Sequence, residues 1–162
     1  MLKRSFSPVV DAQTRLLICG SLPGDRSLAA QRYYAHQQNQ FWCLLSPVVG
    51  RDLAPLDYED RLAALLDARI GLWDVVATAS RAGSSDAAIR DHAPNDLEHL
   101  AATLPDLRAI AFNGGTASRI GMRLMHRYAD RYELVALPSS SPLHTIGVAA
   151  KQAAWMALRD YL

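Results

Sequence analysis

The residues most able to do chemistry in this chain lie between Gly20 and Trp42, in the run GSLPGDRSLAAQRYYAHQQNQFW. Pro23-Gly24 makes a tight turn, and Gly24 lets the backbone approach a ligand with no side chain in the way. Tyr33, Tyr34, Phe41 and Trp42 then place four aromatic rings within ten residues, interleaved with His36, Gln37, Gln38, Asn39 and Gln40. Each buried amide needs a hydrogen-bond partner, so a purely apolar core does not normally alternate amides with rings. A pocket for a planar heterocycle, with an aromatic wall and a polar floor, accounts for both. Tyr34 is the better stacking candidate, whereas Phe41 and Trp42 start an apolar helix and read as core. On residue type alone Asn39 has two readings: a cap for the helix starting at Phe41, or an amide that acts on the ligand.

Further candidates follow other apolar runs. An acid such as Asp74 at the end of a buried strand is costly unless partnered, so it serves a cap, an ion pair or a ligand. Ionised, it would accept hydrogen bonds only. Ser139-Ser140-Ser141 and Gly114-Gly115-Thr116 offer hydroxyls and backbone N–H groups that suit phosphate. Leu143 reads equally as core or as an exposed apolar wedge, and His144 beside it as a phosphate or wedge-site contact. Arg81, Arg119 and Lys151 read as solvated surface able to add a local positive patch. His92, His99 and His126 read as surface.

These residues need elements to position them. Four apolar runs read as strands: Arg15 to Gly20, Ile70 to Val76, Leu107 to Phe112 and Tyr132 to Leu137. Helical spacing predicts helices over Phe41 to Val49, Tyr58 to Ala68, Asn95 to Thr103, Thr116 to Tyr128 and Val148 to Tyr161. Continuous apolar strands alternating with amphipathic helices predict an α/β fold: a three-layer α/β/α sandwich with a central, mainly parallel four-stranded sheet. In such sheets ligands gather at the carboxyl ends of the strands, where Ser21 to Gly24, Asp74 and Thr78, Asn113 to Thr116 and Pro138 to His144 fall. The Ser/Gly/Ala-rich stretch from Ser80 to Asp91 reads as a surface loop.

Composition sets the bounds. With 162 residues, half of them hydrophobic, the chain is the size of one domain, 1–162, able to bury a substantial core. Seventeen basic against sixteen acidic residues give a formal charge of +1, which excludes a polybasic binder and leaves only a local patch for nucleic acid. Cys19 and Cys43 are too few for a four-ligand metal site and read as buried free thiols in a reducing compartment. The N-terminus lacks a secretory pattern and no stretch has the ~20 apolar residues of a membrane span, so a cytoplasmic protein without membrane attachment is expected. No dinucleotide fingerprint occurs.

The quoted motifs resemble those of the uracil-DNA glycosylase superfamily, and especially its hypoxanthine (deoxyinosine) branch. Gly20, Pro23, Gly24, Ala35, His36, Asn39, Phe41 and Trp42 match a Gly-x-x-Pro-Gly turn, an aromatic-Ala-His and an Asn-x-Phe-Trp at the family's spacing. Gly71-Leu72-Trp73-Asp74-Val75, followed by Arg81-x-Gly83-Ser84-x-Asp86, resembles the second-strand region of that branch. Leu137-Pro138-Ser139-Ser140-Ser141-Pro142 resembles the last motif, which grips DNA phosphates and offers an intercalating side chain.

The resemblance implies hydrolysis of the N-glycosidic bond of deaminated bases in DNA, hypoxanthine first, with uracil and xanthine as further candidates. It implies Asn39 as the catalytic amide, holding a water by its oxygen and donating to the base by its N–H groups. Base binding falls to Tyr34, Asp74, Ser21, Leu22 and Gly24. Contacts to DNA fall to Ser139, Ser140, Ser141, Leu143 and His144. Neither metal nor cofactor is implied, and a monomer acting on DNA with deaminated bases is expected. Two departures matter: Leu22 replaces the water-positioning Asn of the mismatch-specific branch, and Leu137 replaces the catalytic His of many uracil-specific members. Alternatives are a uracil or mismatch-specific glycosylase, or a damage-binding module that has lost catalysis.

Overall fold

A computed structural model describes residues 2–162. Its elements run β1 (Leu2–Arg4), β2 (Leu16–Gly20), α1 (Asp25–Ala30), α2 (Phe41–Val49), α3 (Tyr58–Asp67), β3 (Ile70–Asp74) and β4 (Val76–Ser80). The second half contributes β5 (Arg90–Pro94), α4 (Leu97–Ala102), β6 (Ala109–Asn113), α5 (Gly115–Met125), β7 (Glu133–Leu137) and α6 (Val148–Met156).

The apolar runs become a parallel four-stranded sheet in the order β3-β2-β6-β7. Side chains alternate across a strand, so a doubly covered strand must be apolar at every position. In β2, Leu16 and Ile18 face one core with α2, α3 and α6, while Leu17 and Cys19 face a second with α4 and α5. Strand β6 divides in the same way, Ala109 and Ala111 against Ile110 and Phe112. Helix α5 lies so close that a Cβ on Gly121 would fall 2.1 Å from the Phe112 ring. The sheet is thus the middle of three layers, as expected.

A second, antiparallel sheet of order β1-β4-β5 was not legible in the sequence. Strand β5 is exposed along its whole length, so it carries no apolar alternation to betray it. It begins inside the stretch expected to be loop, of which 81–89 is irregular apart from a single turn at Asp86–Ala88. The chain leaves β3 at Val75, whose N–H donates to Gly20 O at 2.8 Å, and Asn95 Nδ2 caps the exit by donating to Asp74 O at 2.7 Å.

Gly20, Asp74, Asn113 and Leu137 therefore end four adjacent strands along one rim, with Gly20 beside Asp74 and Asn113 beside Leu137. Strand β2 has β3 on one side and β6 on the other, the position at which open α/β sheets form a crevice. Among the described residues no helix is long and apolar enough to cross a membrane.

Candidate active site

A cavity of about 480 Å³ opens at this rim. Every residue expected in the site borders it: Asn39, Tyr34, Asp74, Ser21, Leu22, Gly24, Ser139, Ser140, Ser141, Leu143 and His144. Asn113, Asp86 and His36 border it as well, although none of them was among the expected site residues.

The turn after β2 leaves carbonyls without strand partners, and Arg81 supplies them. Its guanidinium donates to Leu22 O at 3.3 Å and to Pro23 O at 2.5 Å, and its Nε donates to Gly83 O at 2.9 Å. This arginine is 2% exposed, which corrects its reading as solvated surface: the forked donor array of Arg sets the shape of the turn. Lys3 Nζ ties the same loop from outside by donating to Asp25 Oδ1 at 2.5 Å and to Gly83 O at 2.6 Å. The Leu22 side chain belongs to the α4/α5 core.

Tyr34 adopts a left-handed backbone, φ 53°, which a bulky residue tolerates only where the surroundings enforce it. Its ring lies 3.7 Å from the Phe41 ring at 10°, and Phe41 is fully buried. One face of Tyr34 is therefore spent on the core, so the ring can offer the cavity only its other face and its edge. Gly20 permits the close approach of the neighbours: a Cβ there would lie 2.8 Å from Asp74 Oδ1 and 3.1 Å from Tyr34 Oη.

Asn39 borders the cavity and also holds the start of α2. Its Oδ1 accepts from the Phe41 N–H at 3.0 Å, in the first turn of α2, and from Ser140 Oγ at 2.8 Å. Ser140 is 1% exposed, and its N–H donates to Asn113 Oδ1 at 2.9 Å. The expectation that Ser140 grips phosphate is thus corrected, because its hydroxyl is committed inside the protein. Ser139 and Ser141 remain half-buried at the rim. Lys151, expected at the surface, is buried and donates to Gln40 Oε1 at 2.8 Å and Ser141 O at 3.0 Å. It ties the loop after β7 to the segment carrying Asn39. Leu143 is 75% exposed, which decides against core, and His144 is exposed too. Cys19 is buried as expected, but Cys43 is exposed.

Across the cavity stand two carboxyls. Asp74 is 3% exposed and its Oδ2 has no hydrogen-bond partner among the described residues. Burial pushes its pKa up to about 7, helped by the charge of Asp86 and opposed by Arg81. The ionisation of Asp74, left open by the sequence, is therefore balanced: near neutrality both forms are present. Asp86 accepts from Ser21 Oγ at 2.5 Å, and burial raises its pKa against the pull of that bond and of Arg81. The signal for Asp86 was its place in Arg81-x-Gly83-Ser84-x-Asp86, where a polar loop returns to the rim.

The structure is an α/β sandwich with a polar crevice, bordered by Tyr33 and Tyr34, at the carboxyl rim of its sheet. The model of the uracil DNA glycosylase superfamily matches residues 7–159. Two curated relatives are each named hypoxanthine DNA glycosylase. One, from Methanosarcina barkeri, is 38% identical over 155 residues, covering 96% of both chains. The other, from Methanosarcina acetivorans, is 40% identical over 158 residues, covering 98% of both. A solution NMR structure of a protein from Methanosarcina acetivorans, described provisionally as a uracil DNA glycosylase, superposes with a TM-score of 0.88 at 40% identity, covering 98% of this chain and 97% of that one. The chain belongs to the uracil DNA glycosylase superfamily.

Proposed function

We propose that the protein is a DNA glycosylase that hydrolyses the N-glycosidic bond of deaminated bases, hypoxanthine first. The observation that carries the reading is the convergence of Asn39, Tyr34 and Asp74 on one cavity, in a chain 38% and 40% identical to two hypoxanthine DNA glycosylases over nearly its whole length.

A base inside a duplex is out of reach, so the nucleotide must rotate out of the stack at a cost of roughly a few kcal/mol. Leu143, exposed beside the cavity, fills the space the base leaves, and Ser139, Ser141 and His144 hold the backbone. The free face of Tyr34 packs on the base plane. Neutral Asp74 offers an acceptor and a donor side by side, which matches the adjacent N1–H and O6 of hypoxanthine. The bond between C1′ and the base nitrogen then breaks with its electron pair leaving on the base. Water adds through oxygen to C1′ and loses a proton, and the departing base takes one up. Neutral Asp74 also avoids placing a negative charge against the departing anion, and Asn39 is the amide that acts on the reacting groups.

The test is cleavage of single- and double-stranded oligonucleotides carrying deoxyinosine, deoxyuridine or deoxyxanthosine, read as abasic sites broken by alkali. Deoxyinosine should be cut fastest, and Asn39→Ala should lower that rate about 100-fold or more. Unchanged cleavage by Asn39→Ala, or no cleavage of any substrate, defeats the proposal.

A further inference from the structure

The hydrogen bonds beside Asn39 have a direction that can be followed from end to end. A backbone N–H only donates, so the Asn39 atom bonded to Phe41 N at 3.0 Å is the amide oxygen. The same logic fixes Asn113: the Ser140 N–H, at 2.9 Å, identifies its Oδ1. Asn113 Nδ2 must then donate, and it does so to Ser140 Oγ at 2.9 Å and to Tyr34 Oη at 3.3 Å. Ser140 Oγ, already accepting from Asn113, keeps its own proton for Asn39 Oδ1 at 2.8 Å. Both lone pairs of the Asn39 oxygen are therefore occupied, one by backbone and one by hydroxyl. Asn39 borders the cavity, and the polar group it has left to present there is Nδ2, a donor.

We propose that Asn39 acts on the flipped base as a hydrogen-bond donor through Nδ2, with Ser140 and Asn113 as positioning residues that lock the amide in that orientation. The inference rests on the glycosylase reading and assigns the working end of its catalytic amide. A donor aimed at an acceptor on the base edge strengthens as the glycosidic electron pair passes to the base, so it acts on the transition state more than on the bound substrate. Holding the attacking water would need an Asn39 oxygen released from Phe41 and Ser140, which the buried Ser140 opposes. Of three consecutive serines, only Ser140 is turned inward for this task.

The experiment compares Asn39→Asp, Ser140→Ala and Ser140→Thr with the wild type in steady-state cleavage of a deoxyinosine duplex, with folding followed by circular dichroism. Aspartate keeps both acceptor bonds and loses the donor, so Asn39→Asp should fall about 100-fold or more. A water-holding oxygen would survive that change, so cleavage within about threefold of wild type overturns the proposal. Ser140→Ala frees the amide to turn and should lower kcat about 10-fold at an unchanged KM, with Ser140→Thr restoring it. An undiminished kcat in Ser140→Ala, or no rescue by threonine, also overturns it and decides the matter if Asn39→Asp fails to fold. A wild-type protein inert on deoxyinosine would instead defeat the glycosylase reading itself.

Discussion

The two walls of the cavity are built on opposite plans. Beside Asn39 a chain of hydrogen bonds runs from Ser140 N–H through Asn113 and Ser140 Oγ to an amide that the Phe41 N–H also holds. Opposite it the buried Asp74 carboxyl keeps one oxygen unpartnered among the described residues, and the charges that act on it are another carboxyl, Asp86, and Arg81, whose donors go to backbone carbonyls. The first wall has one protonation state and one orientation. The second has an unpartnered oxygen and two protonation states near neutrality. A polar group buried without its partner is destabilising by itself, so the Asp74 wall carries a cost that binding a base would remove. Under the proposed function, preorganisation and selectivity would thereby be separated: one wall is fixed before a base arrives, and the other would take its final form around it.

Gly20 joins the walls, and substituting it should do the most damage. An alanine Cβ would press on Asp74 Oδ1 at 2.8 Å and Tyr34 Oη at 3.1 Å, and Tyr34 accepts from the same Asn113 that holds Ser140. A shift of ~1 Å in reacting groups is enough for a loss of about 100-fold, so Gly20→Ala should lower kcat/KM on deoxyinosine by that order while the protein still melts cooperatively. Near-normal cleavage would mean that the walls move independently.

Asp74→Asn should have a smaller effect, and one that depends on pH. The folded pKa of Asp74, about 7, lies above its unfolded value, so the neutral form is favoured in the folded state. Its contribution to stability is whole below the unfolded pKa and is lost as pH rises through 7. Asparagine keeps an acceptor and a donor without titrating. Wild-type cleavage should therefore fall about 10-fold one pH unit above the Asp74 pKa, while Asp74→Asn stays flat. The variant should also melt higher than wild type at pH 8 and show no such gain at pH 4. Parallel pH profiles for the two proteins would show that the Asp74 wall is not the titrating one.

How much of this was legible in the sequence follows the same division. Strands β2, β3 and β6 were readable because burial on both faces demands continuous apolar runs, the partly exposed edge strand β7 because it still carries Leu134, Val135 and Leu137, and their carboxyl ends located the cavity. Tyr34, Asn39 and Asp74 were named because an amide, a ring or an acid in those places needs a reason. Sequence could not tell Ser140 from Ser139 and Ser141, since three identical residues differ only in which one the turn buries. Arg81 and Lys151 looked like surface because their partners are backbone carbonyls and an amide brought together by the fold. The small antiparallel sheet was hidden for the opposite reason, since its exposed edge strand β5 has no apolar pattern.

The smallest expected effect lies outside both walls, at Leu143. It is 75% exposed, and Ile146 at 53% stands three residues on, in a loop with little apolar cover of its own. Truncating an exposed side chain changes stability by at most about 0.5 kcal/mol, so Leu143→Ala should melt as wild type does. If the leucine fills the gap left by a flipped nucleotide, its loss should slow cleavage about threefold to tenfold in duplex DNA and hardly at all in single strands, where no gap opens. Ile146→Ala gives the comparison. Should both variants slow duplex cleavage alike, the wedge is the whole exposed loop; should only Leu143→Ala do so, it is one side chain. An equal loss on single and double strands would place Leu143 in the base pocket instead, and the division of labour would then extend to a third wall.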